Sequence, residues 1–342
     1  MKKFIFKVLL FTTPFLFLFT ITKLLYSETE EPDLLRLGYI PNIYINYRDV
    51  FTQSESENFS KLSQAKMKKY KIMNIGDSFS EKGGKGYKNF IAKKYSVLHI
   101  DRFISKNQIQ TLIDMCNGDF FDHYTIEYIV LQSVVRQLID DIENVDMNGK
   151  ITISDLDSII VAHKTEKKSY KYDFFSRQTI EFPLYYIPKF FFLNDYLSNG
   201  QVYNYDLNTN KLFSIYSDRL LFYHKDITSV SKNNDDNNCE RLNTVLNTIS
   251  KKLKDKNIKL IFLPSADKYD LYYNFIIDRK ELPKPLFFDK FKKLKKEYIY
   301  IDSKAILSNY LNKQKDLYYY DDTHWSPIAS NIIANNIINQ IE

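Results

Sequence analysis

The chain has 342 residues, 44% of them hydrophobic and 16% aromatic, with 48 Lys and Arg against 42 Asp and Glu for a net charge of +6. That composition excludes a disordered chain and is enough to bury the core of one large α/β domain or two ordinary ones. The lysines are scattered among acids rather than gathered in one arm, which argues against a nucleic-acid partner, and Cys116 and Cys239 have neither metal-ligand spacing nor a lipid-attachment context.

Lys2, Lys3 and Lys7 precede an apolar run from Val8 to Thr22, and Lys23 and the acidic SETEEP follow it. This is an export signal. Counted from Phe4 to Tyr26, with the flanking lysines snorkelling, the run reaches the roughly 20 residues that span a bilayer. No small-x-small cleavage site follows, so residues 1–27 read as an uncleaved anchor in preference to a removed signal peptide. The lysines would stay inside and the remainder would face the exterior or periplasm.

Residues 28–68 are polar, with few periodic apolar positions, and read as a stalk. From there short β-rich runs alternate with helical ones: Ile72–Ile75, a helix near Tyr87–Lys94, Val97–Ile100, a helix near Gln108–Met115, and Tyr128–Leu131. The alternation predicts an α/β fold with a parallel sheet and crossover helices in a catalytic unit spanning 69–342. Between about 150 and 235 the rhythm breaks into aromatic segments, FPLYYIPKFFFL and QVYNYDLNTNKLFSIY, which read as an inserted antiparallel β region with a hairpin turned at Asn208–Asn210. Its Tyr and Phe rings suit either a sugar-binding platform or packing onto the main sheet. NNDDNN at 233–238 reads as the polar loop that closes it. Helical spacing resumes at Leu242, Val245, Leu246, Ile249 and Leu253, strands follow at Ile258–Leu263 and Tyr298–Ile301, and Ser326 and Pro327 start a final helix.

Three stretches carry chemistry. In KIMNIGDSFS, a buried strand ends at Gly76 in a sharp turn, which exposes Ser78 at the carboxyl edge of a sheet, where open α/β folds place their sites. A serine needs a histidine held by a carboxylate to act as a nucleophile. YYDDTHWSP supplies Asp321, Asp322 and His324 just before the last helix. The third stretch, NVDMNGKITISD at 144–155, is similar to an EF-hand or dockerin-type calcium loop, with Asp146, Asn148 and Asp155 at oxygen-ligand positions. Asn144 at the first position and Asp in place of the closing Glu weaken that likeness, and a polar turn is the alternative. The remaining histidines are dispersed and suggest no metal site. GGKG at 83–86 lacks the frame of a phosphate-binding loop and reads as a flexible edge to the site.

GDSFS followed by DTHWSP and a closing helix resembles the SGNH (GDSL-type) hydrolase superfamily. The Trp after the histidine, together with EYIVLQSVVR (127–136) and LPSADKYDLYY (263–273), is more similar to the SGNH-like domains of alginate O-acetyltransferases and related acetyltransferases of cell-surface polysaccharides. The resemblance implies a three-layer fold, with Ser78 as nucleophile, His324 as base, and Asp322 or Asp321 holding the imidazole. Asp322 fits the DTHW form and Asp321 the general spacing. It also places Arg136 and Gln132, after the third strand, where an oxyanion or substrate contact belongs. No Gly-x-Asn-Asp block stands there, and the Ser-before-His order is that of the hydrolases. Lys268 and Tyr272, just past a strand, are expected at the site edge as substrate contacts, or else as a strand-end ion pair and a packed ring.

The activity implied is an extracytoplasmic O-acetyltransferase acting through a serine acyl-enzyme on a cell-surface or exported polysaccharide. Its expected partner is a membrane-bound O-acyltransferase that supplies acetyl groups, and no cofactor is expected beyond the calcium candidate. A carbohydrate esterase with the same triad, or an inert glycan-binding scaffold, are the alternatives.

Overall fold

The apolar run at the amino terminus winds into helix α1 (Lys2–Leu25), with mean hydropathy 2.1 and its faces turned outward. Among the described residues it is the one helix long and apolar enough to cross a membrane, and a signal sequence has the same character. The computed structural model describes residues 1–26, 32–42, 51, 56–105, 107–165, 180–193 and 200–342.

The main sheet has six strands, all parallel: β1 (Ser60–Lys61), β2 (Lys69–Ile75), β3 (Val97–His99), β4 (Thr125–Val134), β7 (Lys259–Ser265) and β8 (Ile299–Tyr300), in the order β1-β3-β2-β4-β7-β8. Both faces are buried, as parallel sheets require. Ile72, Val130, Ile261 and Leu263 point into one core, and Met73, Ile75, Leu131 and Phe262 point into the other. Helices α3 (Tyr87–Ala92) and α9 (Pro327–Ile341) cover the first face; α4 (Gln108–Asn117), α5 (Val135–Glu143) and α7 (Asp236–Lys254) cover the second. The result is the α/β fold with a parallel sheet that the strand–helix rhythm predicts, in the three layers that the resemblance implies. The chain leaves β2 toward β3 on one side and later pairs β4 on the other, so the strand order reverses beside β2 and opens a crevice at its carboxyl end.

Several local expectations are corrected. In the segment read as a stalk, helix α2 (Asp33–Gly38) buries Leu34 and Leu35, Phe51 and Phe59 enter the core, and β1 joins the sheet. Their sparse apolar residues lack a period but still pack. FPLYYIPKFFFL, expected as strands, instead winds as π-type helical turns at Phe182–Tyr186 and Lys189–Leu193; aromatic β-propensity follows context and is easily overridden. The antiparallel pair forms as β5 (Val202–Asp206) and β6 (Arg219–Tyr223), yet the link between them is a long loop that buries Leu212 and Phe213 rather than a tight turn at Asn208–Asn210. NNDDNN is no closing loop: Asp235 accepts the Asn238 N–H at 2.9 Å and caps α7. Cys116 and Cys239 are buried free thiols.

Candidate active site

The turn after β2 is built from below. Gly76 must be glycine, because a Cβ there would lie 2.3 Å from the Ser80 Oγ and 2.5 Å from the Gln132 Oε1. Asp77 ties the turn to the next strand: its carboxylate accepts the Phe79 N–H at 2.9 Å and the Val134 N–H at 2.6 Å, while its own N–H donates to Gln132 Oε1 at 3.1 Å. Gln132 is buried beneath, taking the Ser80 hydroxyl at 2.8 Å and donating to Ser265 Oγ at 3.0 Å. Tyr87, whose phenol burial pushes far above its usual range, donates to Asn74 Oδ1 at 2.6 Å and lies 2.8 Å from Ser80 Oγ. With every polar group behind it bonded, the short 3₁₀ turn Ser78–Glu81 presents Ser78 half-buried at the sheet edge.

The opposing loop is pinned as firmly. Trp325 is buried and donates its indole N–H to the Tyr318 hydroxyl at 2.8 Å; that hydroxyl donates to the Ala266 carbonyl. Lys268, fully buried in helix α8 (Lys268–Tyr272), donates to the carbonyls of Tyr319 at 3.0 Å and Tyr320 at 2.7 Å. Burial pushes its ammonium down to about 7, against the pull of Asp321, Asp33, Asp322 and Asp226. Ser326 caps α9 through the Ile328 N–H at 3.1 Å, which fixes where the preceding histidine projects.

These two supports bring Ser78 and His324 together across 246 residues. His324 Nε2 lies 2.8 Å from Ser78 Oγ, and Nδ1 lies 2.5 Å from Asp322 Oδ1, which also accepts the His324 backbone N–H at 3.0 Å. The Asp322 contact assigns the proton to Nδ1 and leaves Nε2 free to accept from serine. Phe79 covers the imidazole, with ring centroids 4.8 Å apart. Of the two candidate acids, Asp322 is the one at the imidazole; Asp321 is buried and acts on Lys268. Among the described residues no acceptor meets the Ser78 N–H, and α5 starts at Val135, beside the Asp77 contact, with no side-chain cap.

The other expected site residues lie behind this surface. Gln132 supports the turn rather than facing the crevice. Arg136 donates to Asp226 at 3.0 Å, and its charge also acts on Asp267, Asp33 and Asp77. Lys268 and Tyr272 are not at an edge: Lys268 holds the histidine loop, and the Tyr272 ring packs between Phe213 and Tyr318. In the calcium-like loop, Asp146 accepts the Asn148 N–H at 2.9 Å, and Asp155 forms a reciprocal capping box with Thr152 at the start of α6 (Ile153–Thr165). A cleft of about 470 Å³ opens between the Gly84–Lys85 loop and the first turn of α9, and no triad residue lines it.

Sequence reasoning missed two acids. Asp77 stands inside the GDS string, and its role as the clamp between β2 and β4 was within reach of the motif. Asp33 had no signal. Its carboxylate accepts from Thr323, at 2.8 Å from N–H and 2.5 Å from Oγ1–H, and lies 3.5 Å from His324 Nδ1. Among the described residues, the donor atoms of Asp33, Asp322 and His324 all lie within 4.8 Å of one another.

Fold and geometry define a three-layer α/β protein with a serine–histidine–aspartate arrangement at the carboxyl edge of its parallel sheet. Residues 217–342 match the family described as SGNH hydrolase-like domain, acetyltransferase AlgX, which bears out the resemblance read from the motifs and points to an acetyltransferase-related function. The matched stretch contains Asp322 and His324; Ser78 lies outside it and joins them through the fold. Neither curated proteins nor solved structures provide a match.

Proposed function

We propose that the chain is an extracytoplasmic O-acetyltransferase that moves an acetyl group through a Ser78 acyl-enzyme onto a hydroxyl of a cell-surface or exported polysaccharide. The observation that carries this reading is the aligned hydrogen-bond path Ser78–His324–Asp322, at 2.8 and 2.5 Å. Ser78 Oγ attacks the acyl carbon of the donor as its proton passes to His324 Nε2. Collapse of the tetrahedral intermediate expels the donor oxygen, which takes that proton. A sugar hydroxyl then gives its proton to Nε2 and attacks the acyl carbon, and Ser78 leaves with the proton restored. The Ser78 N–H and the uncapped amino end of α5 suit the negative charge that forms on the carbonyl oxygen. Asp322 keeps the imidazole in the required tautomer throughout. Every bond change is made by the chain's own side chains, so the reading requires no cofactor.

The family match supports the acetyl group, and the resemblance of the motifs suggests a glycan acceptor. They imply a membrane-bound O-acyltransferase partner that presents acetyl groups from the cytoplasmic side. We read α1 as a single-pass anchor. Support comes from the surface beside its end: Tyr26 packs on Phe182, with centroids 5.0 Å apart, and the same segment exposes Leu184, Tyr185, Phe191 and Phe192, a group of the kind that beds into a membrane interface.

The test uses the full-length protein in detergent with p-nitrophenyl acetate, with and without short oligosaccharides, following both nitrophenol release and sugar mass. Acetyl gain on a sugar that Ser78→Ala abolishes is the expected result. Nitrophenol release without sugar modification would replace the transferase with an esterase. A folded protein in which Ser78 neither turns over nor reacts with a fluorophosphonate would leave an inert glycan-binding scaffold.

A further inference from the structure

We propose that Asp33 is a positioning residue for His324: a second carboxylate, supplied by the segment that follows the amino-terminal apolar helix, which acts with Asp322 to orient the imidazole and to stabilise the charge it gains when Ser78 gives up its proton. The inference rests on the reading of Ser78 and His324 as nucleophile and base.

Asp33 meets the histidine loop through both carboxylate oxygens and its backbone N–H. Its Oδ1 accepts the Thr323 N–H at 2.8 Å, its Oδ2 accepts the Thr323 hydroxyl at 2.5 Å and lies 3.5 Å from His324 Nδ1, and its own N–H donates to Asp322 Oδ2 at 3.2 Å. The Thr323 contacts join residues 290 positions apart in sequence. Leu34 and Leu35, buried next to it in α2, tie the segment into the core.

A structural role alone explains this arrangement poorly. Two carboxylates are brought to one ring nitrogen, with the Asp33 side chain 13% exposed and that of Asp322 fully buried. Burial, and then the Asp322 charge, push the Asp33 carboxyl above its usual range, while His324 and the two Thr323 donors pull it back. A buried acid pair is unfavourable beside a neutral imidazole and favourable beside an imidazolium. During the reaction the imidazolium forms as serine loses its proton, so the compensation arrives where it speeds the reaction. Other charged groups that bear on the carboxylates are Lys268 from α8, acting on Asp33, Asp322 and Asp321, Arg136 from α5, acting on Asp33 and on Asp77 beside the nucleophile, and Asp226, which is paired with Arg136 and whose charge and that of Asp33 repel each other.

The experiment measures the rate of fluorophosphonate labelling of Ser78 in full-length protein across pH 5–9, alongside the melting temperature. Asp33→Asn is expected to stay folded, to label about tenfold more slowly at neutral pH, and to show its rate inflection at lower pH, since the imidazolium has lost a stabilising charge. Asp33→Glu should restore most of the rate. Thr323→Val, which keeps both carboxylates and removes one tether, should shift the profile the same way by less. Wild-type rate and inflection in Asp33→Asn, or a loss that only tracks the folded fraction with the inflection unmoved, would overturn the proposal. Folded wild-type protein that does not label at Ser78 would instead remove the underlying reading, and this inference with it.

Discussion

Gly76 leaves no room for a side chain, and this makes the nucleophile turn sensitive to a single methyl. The atoms that a Cβ would strike, Ser80 Oγ at 2.3 Å and Gln132 Oε1 at 2.5 Å, are themselves fixed by bonds to Tyr87, Asp77 and Ser265. Gly76→Ala is therefore expected to displace Ser78 from His324 and cut the labelling rate about a hundredfold, the scale of a 1 Å misplacement at a reacting centre, with circular dichroism still showing a folded α/β protein. Gln132→Ala acts on the same network from below. It strips partners from Asp77 N–H, Ser80 and Ser265, and should destabilise by about 1–3 kcal/mol in denaturant titration, the cost of leaving buried polar groups unsatisfied. At this scale the sequence was legible wherever residues act within one short string: Ser78, His324 and the pair Asp321 and Asp322 come from GDSF and DDTHW, and the fold decides for Asp322. Gln132 was found by position and misread in role, because a string does not say whether a side chain faces the crevice or lies beneath it. Asp33 was invisible, since its partner Thr323 is met only through the fold.

Where β4 passes into α5, the element junction carries a titratable strain. Asp141 on α5 is buried and accepts from Gln108 Nε2 at 2.7 Å and from Ser133 Oγ at 3.1 Å, and among the described residues no cation pairs with it. Burial pushes its carboxyl from 3.8 up to about 7. The folded state thus holds a proton that the unfolded chain releases near pH 4. Its contribution to stability is complete below that value and is lost as pH rises through about 7. Asp141→Asn keeps an oxygen for both donors and removes the charge. Its melting temperature should match wild type near pH 4 and exceed it by several degrees above pH 7, the gap opening between those values; a constant gap across the range would show that Asp141 does not carry the strain. Elements were legible where a period persists, as in α7 and α9 or the apolar runs of β2, β4 and β7. They were not legible in 180–193, because a run of aromatics with no period suits a strand and a helical turn equally, and packing against Tyr26 and Tyr39 decides between them.

Across the whole molecule, the site is closed by parts that the chain keeps far apart: Ser78 after the central strand, His324 before the last helix, and Asp33 a few residues beyond α1. The reach of the link is short. From Tyr26 to Asp33 the chain spans at most about 25 Å when fully extended, so an anchored α1 holds the carboxyl edge of the sheet at the membrane surface. Phe191 and Phe192, exposed on the segment whose Phe182 packs on Tyr26 just past α1, would then lie against lipid. Lys256, before the start of β7, belongs to the opposite edge, about 20 Å further off by the length of that strand. Because Cys116 and Cys239 are buried, Phe192→Cys and Lys256→Cys can each carry one environment-sensitive dye on the full-length protein in nanodiscs. The dye at 192 should emit at shorter wavelength and be quenched by lipid-borne spin labels, and the dye at 256 should do neither. Equal behaviour at both positions would detach the site from the membrane surface, and with it the argument that the acyl donor is met there rather than in free solution.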